Sequence, residues 1–203
     1  MLMRANQGKT FTESGRRAQI VAAAIETIAE VGYQRASFAK IAKRAGLSST
    51  GMISYHFAGK DDLVRAVSEE IVATATVFMR DRIGAAEGRP ARLRAYIESN
   101  MDVVAAHPAH LRALLGIIAA AQDAAGGLTV DTSVLSDRIE RLETELRDGQ
   151  AAGEFGEFDP SVMALAITGA IDALVTSRTG APAEVLARSG AELADLFLRA
   201  TAT

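Results

Sequence analysis

The residues of this 203-residue chain with the clearest capacity for chemistry lie between Ser49 and Lys60. Ser49, Thr50 and Ser54 carry hydroxyls that both donate and accept hydrogen bonds. Gly51 lets a backbone come close, and Met52 offers an apolar contact of the kind a thymine methyl accepts. Tyr55, His56 and Lys60 follow, an aromatic-basic segment whose phenol and ammonium suit phosphate oxygens. Ser37, Lys40 and Lys43 upstream, with Arg16 or Arg17 further back, can fix the register of such a grip. For Lys43 and Arg44 a solvated face is the competing reading, and Tyr33 and Phe57 read as core.

Phe38, Ile41, Ala42 and Ala45 recur at helical spacing, and Gly46 stops that helix. Leu47 packs the corner, and Ser48 or Ser49 is placed to cap the next helix. In that second helix Ile53 and Phe57 face inward, which leaves Thr50, Gly51, Met52, Ser54 and Tyr55 outward. Two helices joined by a short glycine-containing turn form a helix-turn-helix, whose second helix enters the major groove of DNA.

The charge distribution agrees. Residues 1–60 hold nine Lys or Arg against three Glu, a balance of 9 − 3 = +6, and the remainder holds 13 basic and 22 acidic side chains, or −9. All the lysines (Lys9, Lys40, Lys43 and Lys60) fall in the first 60 residues. A basic head on an acidic body fits phosphate binding. The absence of cysteine removes disulfides, zinc-thiolate sites and thiol nucleophiles, and fits a reducing cytoplasm. The N-terminus lacks the apolar core of a signal peptide, and no apolar run reaches the length of a membrane span, so no membrane partner is expected.

Residues 32–63 resemble the DNA-binding domain of the TetR family of bacterial transcriptional regulators. The matching pieces are Gly32-Tyr33, Ala36-Ser37-Phe38, Ile41-Ala42, Ala45-Gly46-Leu47-Ser48, Gly51 through Tyr55-His56-Phe57, and Lys60-Asp61-x-Leu63. They cover about a sixth of the chain. Between Gly46 and Tyr55 the chain carries one residue more than the usual family spacing, which places the base-reading positions to within one residue. The resemblance implies an all-α protein of about nine helices, three small and six larger. It also implies that Tyr55, His56 and Lys60 form the phosphate-gripping segment.

Helical punctuation divides the rest. Residues 1–14 read as a polar, flexible arm, 15–60 as the DNA-binding domain and 61–203 as a helical effector-binding and dimerisation domain. Helix 1 is expected from about Arg16 to Val31, with Ile20, Ala24, Ile25 and Ile28 inward and Gly32 as its stop. A long helix runs from Lys60 to Asp81 or Arg82, with others from Pro90 to Ala106, Pro108 to Gln122 and Thr132 to Ala152. Residues 123–127 read as a loop. Asp159-Pro160 and Pro182 each open a final long helix.

Residues 162–175 are apolar nearly all round, so that helix must be covered on two sides. The economical reading buries one face in the chain's own domain and the other in a second copy, through Met163, Ala166, Ile167, Ala170 and Leu174. Leu186, Gly190, Leu193 and Phe197 on the last helix complete that expected interface. A monomer's central core helix is the alternative. A two-fold homodimer supplies the two recognition helices that a palindromic operator in double-stranded DNA requires.

An effector pocket, implied by the resemblance, would draw on the polar or adaptable residues of the body. These are Phe78, Met79, Tyr96, Asn100, Met101, His107, His110, Leu114, Gln122, Thr168 and Asp172. Asp172, a charged residue on an apolar helix, is either satisfied across the dimer or available to an effector. His107-Pro108-Ala109-His110 lacks a third metal ligand and reads as a polar helix start. No catalytic motif is present, and no cofactor or metal is expected. The resulting expectation is a cytoplasmic repressor, nucleoid-associated when bound to DNA, that a hydrophobic small molecule releases by moving the long fourth helix. The rivals are an activator or ligand-independent regulator and, from other classes, an enzyme or a protein-interaction module.

Overall fold

The computed structural model describes residues 4–123 and 133–203. Among them the chain forms nine α-helices and no strand: α1 (Arg4–Val31), α2 (Phe38–Arg44), α3 (Gly51–His56), α4 (Lys60–Gly84), α5 (Arg89–Ala106), α6 (Pro108–Asp123), α7 (Ser133–Ala151), α8 (Pro160–Ser177) and α9 (Ala183–Ala200). Most boundaries fall within two residues of those read from the caps and breakers. The first does not. α1 begins at Arg4, inside the stretch expected to be a polar arm. That stretch contains no proline, and its one glycine, Gly8, only weakens a helix that propagates backward from an established turn. Residues 1–3 and the greater part of the expected 123–127 loop lie outside the described residues, although Asp123 closes α6.

The chain separates into two compact units, one of residues 1–71 and 109–130, the other of residues 72–108 and 131–203. These limits differ from the expected division at 60/61. The first unit keeps the opening turns of α4, through Leu63, Val64, Ala66, Val67 and Ile71. It also takes α6, whose Ala109, Ala113, Ile117 and Ala120 are buried in the same core as Ile20, Ala24, Ile25 and Ile28 of α1. Small residues let α6 lie close. A Cβ at Gly116 would stand only 3.8 Å from Ile28 and 3.9 Å from the Tyr33 backbone nitrogen.

Two glycines close helices as read. Gly32 (φ 78°) ends α1, its N–H donating to Ile28 at 2.9 Å. Gly46 (φ 66°) follows α2, and the next N–H, of Leu47, reaches back to the Ala42 carbonyl at 2.9 Å. Ser37 caps α2, accepting from the Lys40 N–H at 3.4 Å.

In the second unit α5 packs on α9 and α7 on α8, with α5 also touching α7 and α8. Asp159 caps α8 by accepting from the Ser161 and Val162 N–H groups at 2.9 and 3.1 Å, with Pro160 in the first turn. α8 is long and apolar enough by composition to cross a membrane, contrary to the sequence reading that no run is. Its inner side is nonetheless packed inside the unit through Ala164, Ile167 and Ile171.

Gly190 sits where α9 meets α5, and a Cβ there would lie 2.9 Å from Met101 Cγ. Met101 is wholly buried, so the clash has no free space to relax into. Gly190→Val is therefore expected to destabilise the unit by about 1–3 kcal/mol. Urea unfolding followed by circular dichroism measures this, and an unchanged midpoint would contradict the close α5–α9 contact.

Candidate nucleic-acid interface and ligand site

The helix-turn-helix is positioned by apolar anchors. Ile53 and Phe57 are buried with Ile41, Ala42 and Ala45 against the inner stripe of α1. Their burial leaves Ser49, Thr50, Gly51, Met52, Ser54 and Tyr55 exposed, and Tyr55 retains 72% of its surface. Neither Ser48 nor Ser49 caps α3. The N-cap is Thr50, its backbone in the αR region and its side chain making no cap bond. The Thr50 carbonyl receives the Ile53 and Ser54 N–H groups at 3.0 and 3.1 Å.

Around this face stand the cations. Lys43 is exposed. Lys40 is exposed too and donates to the Arg35 carbonyl at 3.0 Å. Arg16 bonds the Gln19 side chain at 2.7 Å, and Arg17 lies over the Phe57 ring at 4.9 Å from its centroid. Arg44 pairs with Glu30. His56 is half-buried and meets Tyr55 edge-on at 5.1 Å.

Lys60 departs from expectation. Its ammonium is engaged within the head, donating to the Tyr33 carbonyl at 2.9 Å and lying 4.0 Å from the Tyr33 ring centroid. Burial lowers its pKa, an effect that Asp61 partly opposes. The Lys60 ammonium thus ties the end of α1 to the start of α4. Gln19 was not singled out from the sequence. Its amide donates to the Ala45 carbonyl at 2.7 Å and fastens α1 to the end of α2, a link that helical periodicity cannot reveal.

The expected dimer residues divide. Ile167, Leu186, Gly190 and Phe197 are buried within the second unit, so they serve its own core and not a face open to a second copy. Met163, Ala170, Leu174 and Leu193 are half-buried, and Ala166 is exposed. The uncovered apolar stripe of α8 is instead Val162, Leu165, Ala166, Gly169 and Ala173, with Leu196 on α9. The sequence pattern identified a two-sided helix without saying which side was which.

The expected effector residues are divided between the two units. Leu114 packs against the core of the first unit and His110 lies on the same helix. The Gln122 side chain is outside the described residues. Met101 is buried against Gly190. Met79 is half-buried, and Phe78, largely exposed, meets His107 edge-on at 5.7 Å.

Tyr96, Asn100 and Asp172 do come together, around a residue the sequence reading omitted, and Thr168 stands one turn from Asp172 on α8. Arg138 of α7 donates one Nη to both oxygens of Asp172, at 2.8 and 2.9 Å. Asp172 is therefore satisfied within the chain. Tyr96 is mostly buried, and burial raises its pKa, against the lowering influence of Arg138. A shallow groove on α7, lined by Asp137, Glu140, Arg141, Thr144 and Glu145, contains none of the expected residues.

Comparison with known proteins places this geometry. Residues 20–67 match the family described as bacterial regulatory proteins, tetR family. The chain is 40% identical over 88 residues to the HTH-type transcriptional regulator BetI 1 of Chromohalobacter salexigens, a match covering 43% of each chain. It spans about half the length of the curated relatives it matches. Its fold resembles the transcriptional regulator FadR from Bacillus subtilis, solved in complex with stearoyl-CoA (TM-score 0.72, 25% identity, 87% of this chain and 96% of that one). It also shares its fold with a TetR transcription regulator from Haloarcula marismortui (TM-score 0.79, 20% identity, 94% and 100% covered). These relatives are regulators of transcription and not enzymes.

Lys60→Ala removes the clamp on Tyr33 and is expected to cost about 1 kcal/mol of stability through the lost cation–π contact and hydrogen bond. Thermal unfolding at neutral pH checks this. A variant as stable as the parent would return Lys60 to the surface role first expected.

Proposed function

We propose, from the match of residues 20–67 to the tetR family of bacterial regulatory proteins, that the chain is a homodimeric, sequence-specific DNA-binding regulator of transcription, a repressor that a small-molecule effector releases. The carrying observation is the exposed polar face of α3 held outward by Ile53 and Phe57 in a head of net positive charge. In this reading Thr50, Gly51, Met52 and Ser54 meet base edges. Tyr55, His56, Ser37, Lys40, Lys43 and Arg17 contact the backbone. The protein works in the cytoplasm, on the nucleoid when DNA-bound, and is not an enzyme.

Selection of bound duplexes from a random library at near-physiological salt tests the reading. The expected product is a palindrome with half-sites about one helical turn apart. No enrichment would sink sequence-specific binding. Lys43→Ala should weaken binding to all duplexes alike and lower the salt slope by about 1. Tyr55→Phe should also weaken all duplexes alike, with the slope unchanged. A shift in sequence preference at constant affinity would instead make these residues base readers.

The second copy is proposed to seat on the apolar stripe of α8 and α9, from Val162 and Leu165 to Ala173 and Leu196. Leu165 keeps 54% of its surface exposed in the single chain. Two such faces packed together give a four-helix interface. Leu165→Glu is expected to yield helical monomers by light scattering and to reduce DNA affinity. A dimer that survives the change would place the interface elsewhere.

The effector is proposed to be apolar or amphipathic, in keeping with the stearoyl-CoA bound to the Bacillus subtilis protein and the largely apolar second unit. It would act by favouring a conformation with displaced α4, and with it the head. α6 offers a second route, since its residues belong to the core that holds α1.

A further inference from the structure

Helical hydroxyls in this chain usually close their own bonding. Thr27, Thr76, Thr144, Ser189 and Thr201 each donate to the carbonyl one turn back, at 2.7 to 2.9 Å. Thr168 does not, although it is only 5% exposed and the Ala164 carbonyl lies at the same offset. Two further buried polar atoms without a hydrogen-bond partner stand on the helices packed against α8, Tyr96 Oη on α5 and Arg138 Nε on α7. Thr168 stands one turn from Asp172 on α8. Arg138 on α7 holds Asp172, and the charges of both reach the Tyr96 hydroxyl on α5. Asn100 donates its side-chain amide to the Tyr96 carbonyl at 2.8 Å, which places it beside that hydroxyl. Buried donors left unpaired are costly and uncommon, and three on three mutually packed helices mark a place built to receive a partner.

We infer that the α5–α7–α8 junction is a site for a small ligand with an acyl oxygen, a carboxylate or its ester carbonyl, held by Tyr96, Thr168 and Arg138. The inference rests on the effector-binding reading above and gives that effector its polar end. Arg138 Nε–H can only donate, and both hydroxyls have a proton to give, so the complement is an oxygen acceptor. Asp172 occupies a single Nη of Arg138 and is 55% exposed on its side chain. It can turn to water and yield the guanidinium to a ligand carboxylate. An ester carbonyl accepts from the same donors and leaves the Arg138–Asp172 pair in place.

Octanoate and methyl octanoate are the probes, added to the whole protein with thermal unfolding and calorimetric titration as readouts. At least one is expected to raise the midpoint of the parent and to bind about five- to tenfold more weakly to Tyr96→Phe and to Thr168→Val. Without probe, Tyr96→Phe should melt higher than the parent, because it deletes an unpartnered buried hydroxyl. Asp172→Asn separates the sources. It tightens octanoate several-fold if the acid takes Arg138, and leaves methyl octanoate unchanged if the carbonyl is the bound group. The site is refuted if neither probe shifts the parent, or if the shift survives both hydroxyl variants. It is equally refuted if Tyr96→Phe melts lower without probe, which would mean that water already satisfies the hydroxyl. Probes that bind in this way without displacing DNA would support the site and refute only its regulatory use.

Discussion

The burial of Ile53 and Phe57 in the stripe of α1 is the contact on which the head depends. α3 has only six residues, far below the length at which a helix holds together in water on its own. Its shape and direction therefore come from tertiary packing, with each buried side chain of this size contributing about 1.5–3 kcal/mol. The same two residues determine, by helical geometry, which side chains remain outside. Structure and proposed recognition are thus opposite faces of one short helix. Gln19 and Lys60 tighten the arrangement from its ends, one fastening α1 to α2 and the other α1 to α4.

The second unit uses a different balance. Its ion pairs (Arg89–Glu145, Arg92–Glu145, Arg82–Glu98 and Arg94–Asp195) lie at or near the surface and contribute little individually. Packing carries the load, at places such as Gly190 against Met101 and among Ile97, Ile167 and Ile171. Against that background the unpaired atoms of Tyr96, Arg138 and Thr168 stand out by lying on three helices that pack on one another.

What could be read from the chain was local. Gly32, Gly46, Asp159-Pro160 and Pro182 act through their own backbone or that of a neighbour, so they revealed helix ends without any knowledge of the fold. The periodic stripe of α1 and the inward Ile53 and Phe57 were legible for the same reason. Partners were not. A stripe such as Leu186, Gly190 and Phe197 announces burial and says nothing about whether the cover is α5 or another chain. Asp172 was visible as a polar residue on an apolar helix, but Arg138 lies 34 positions away and only the fold joins them. α6 likewise carries no sequence mark assigning it to the head, since alanines fit any close neighbour. The polar stretch before Arg16 shows that composition alone does not forbid a helix when no proline interrupts it.

The placement of the lysines has a chemical consequence for the whole molecule. The chain's only side-chain amines belong to the head and its leading helix, and the body past Lys60 presents none. Acylation of amines, whether enzymatic or spontaneous, can thus erode only the positive end of this charge-divided chain. Within that small set the amines are chemically unequal. Lys43 stands in solvent, while Lys60 is partly buried against an aromatic ring. Reactivity at Lys60 would accordingly report whether the ends of α1 and α4 are still fastened together, giving the head an internal reporter that the body cannot obscure.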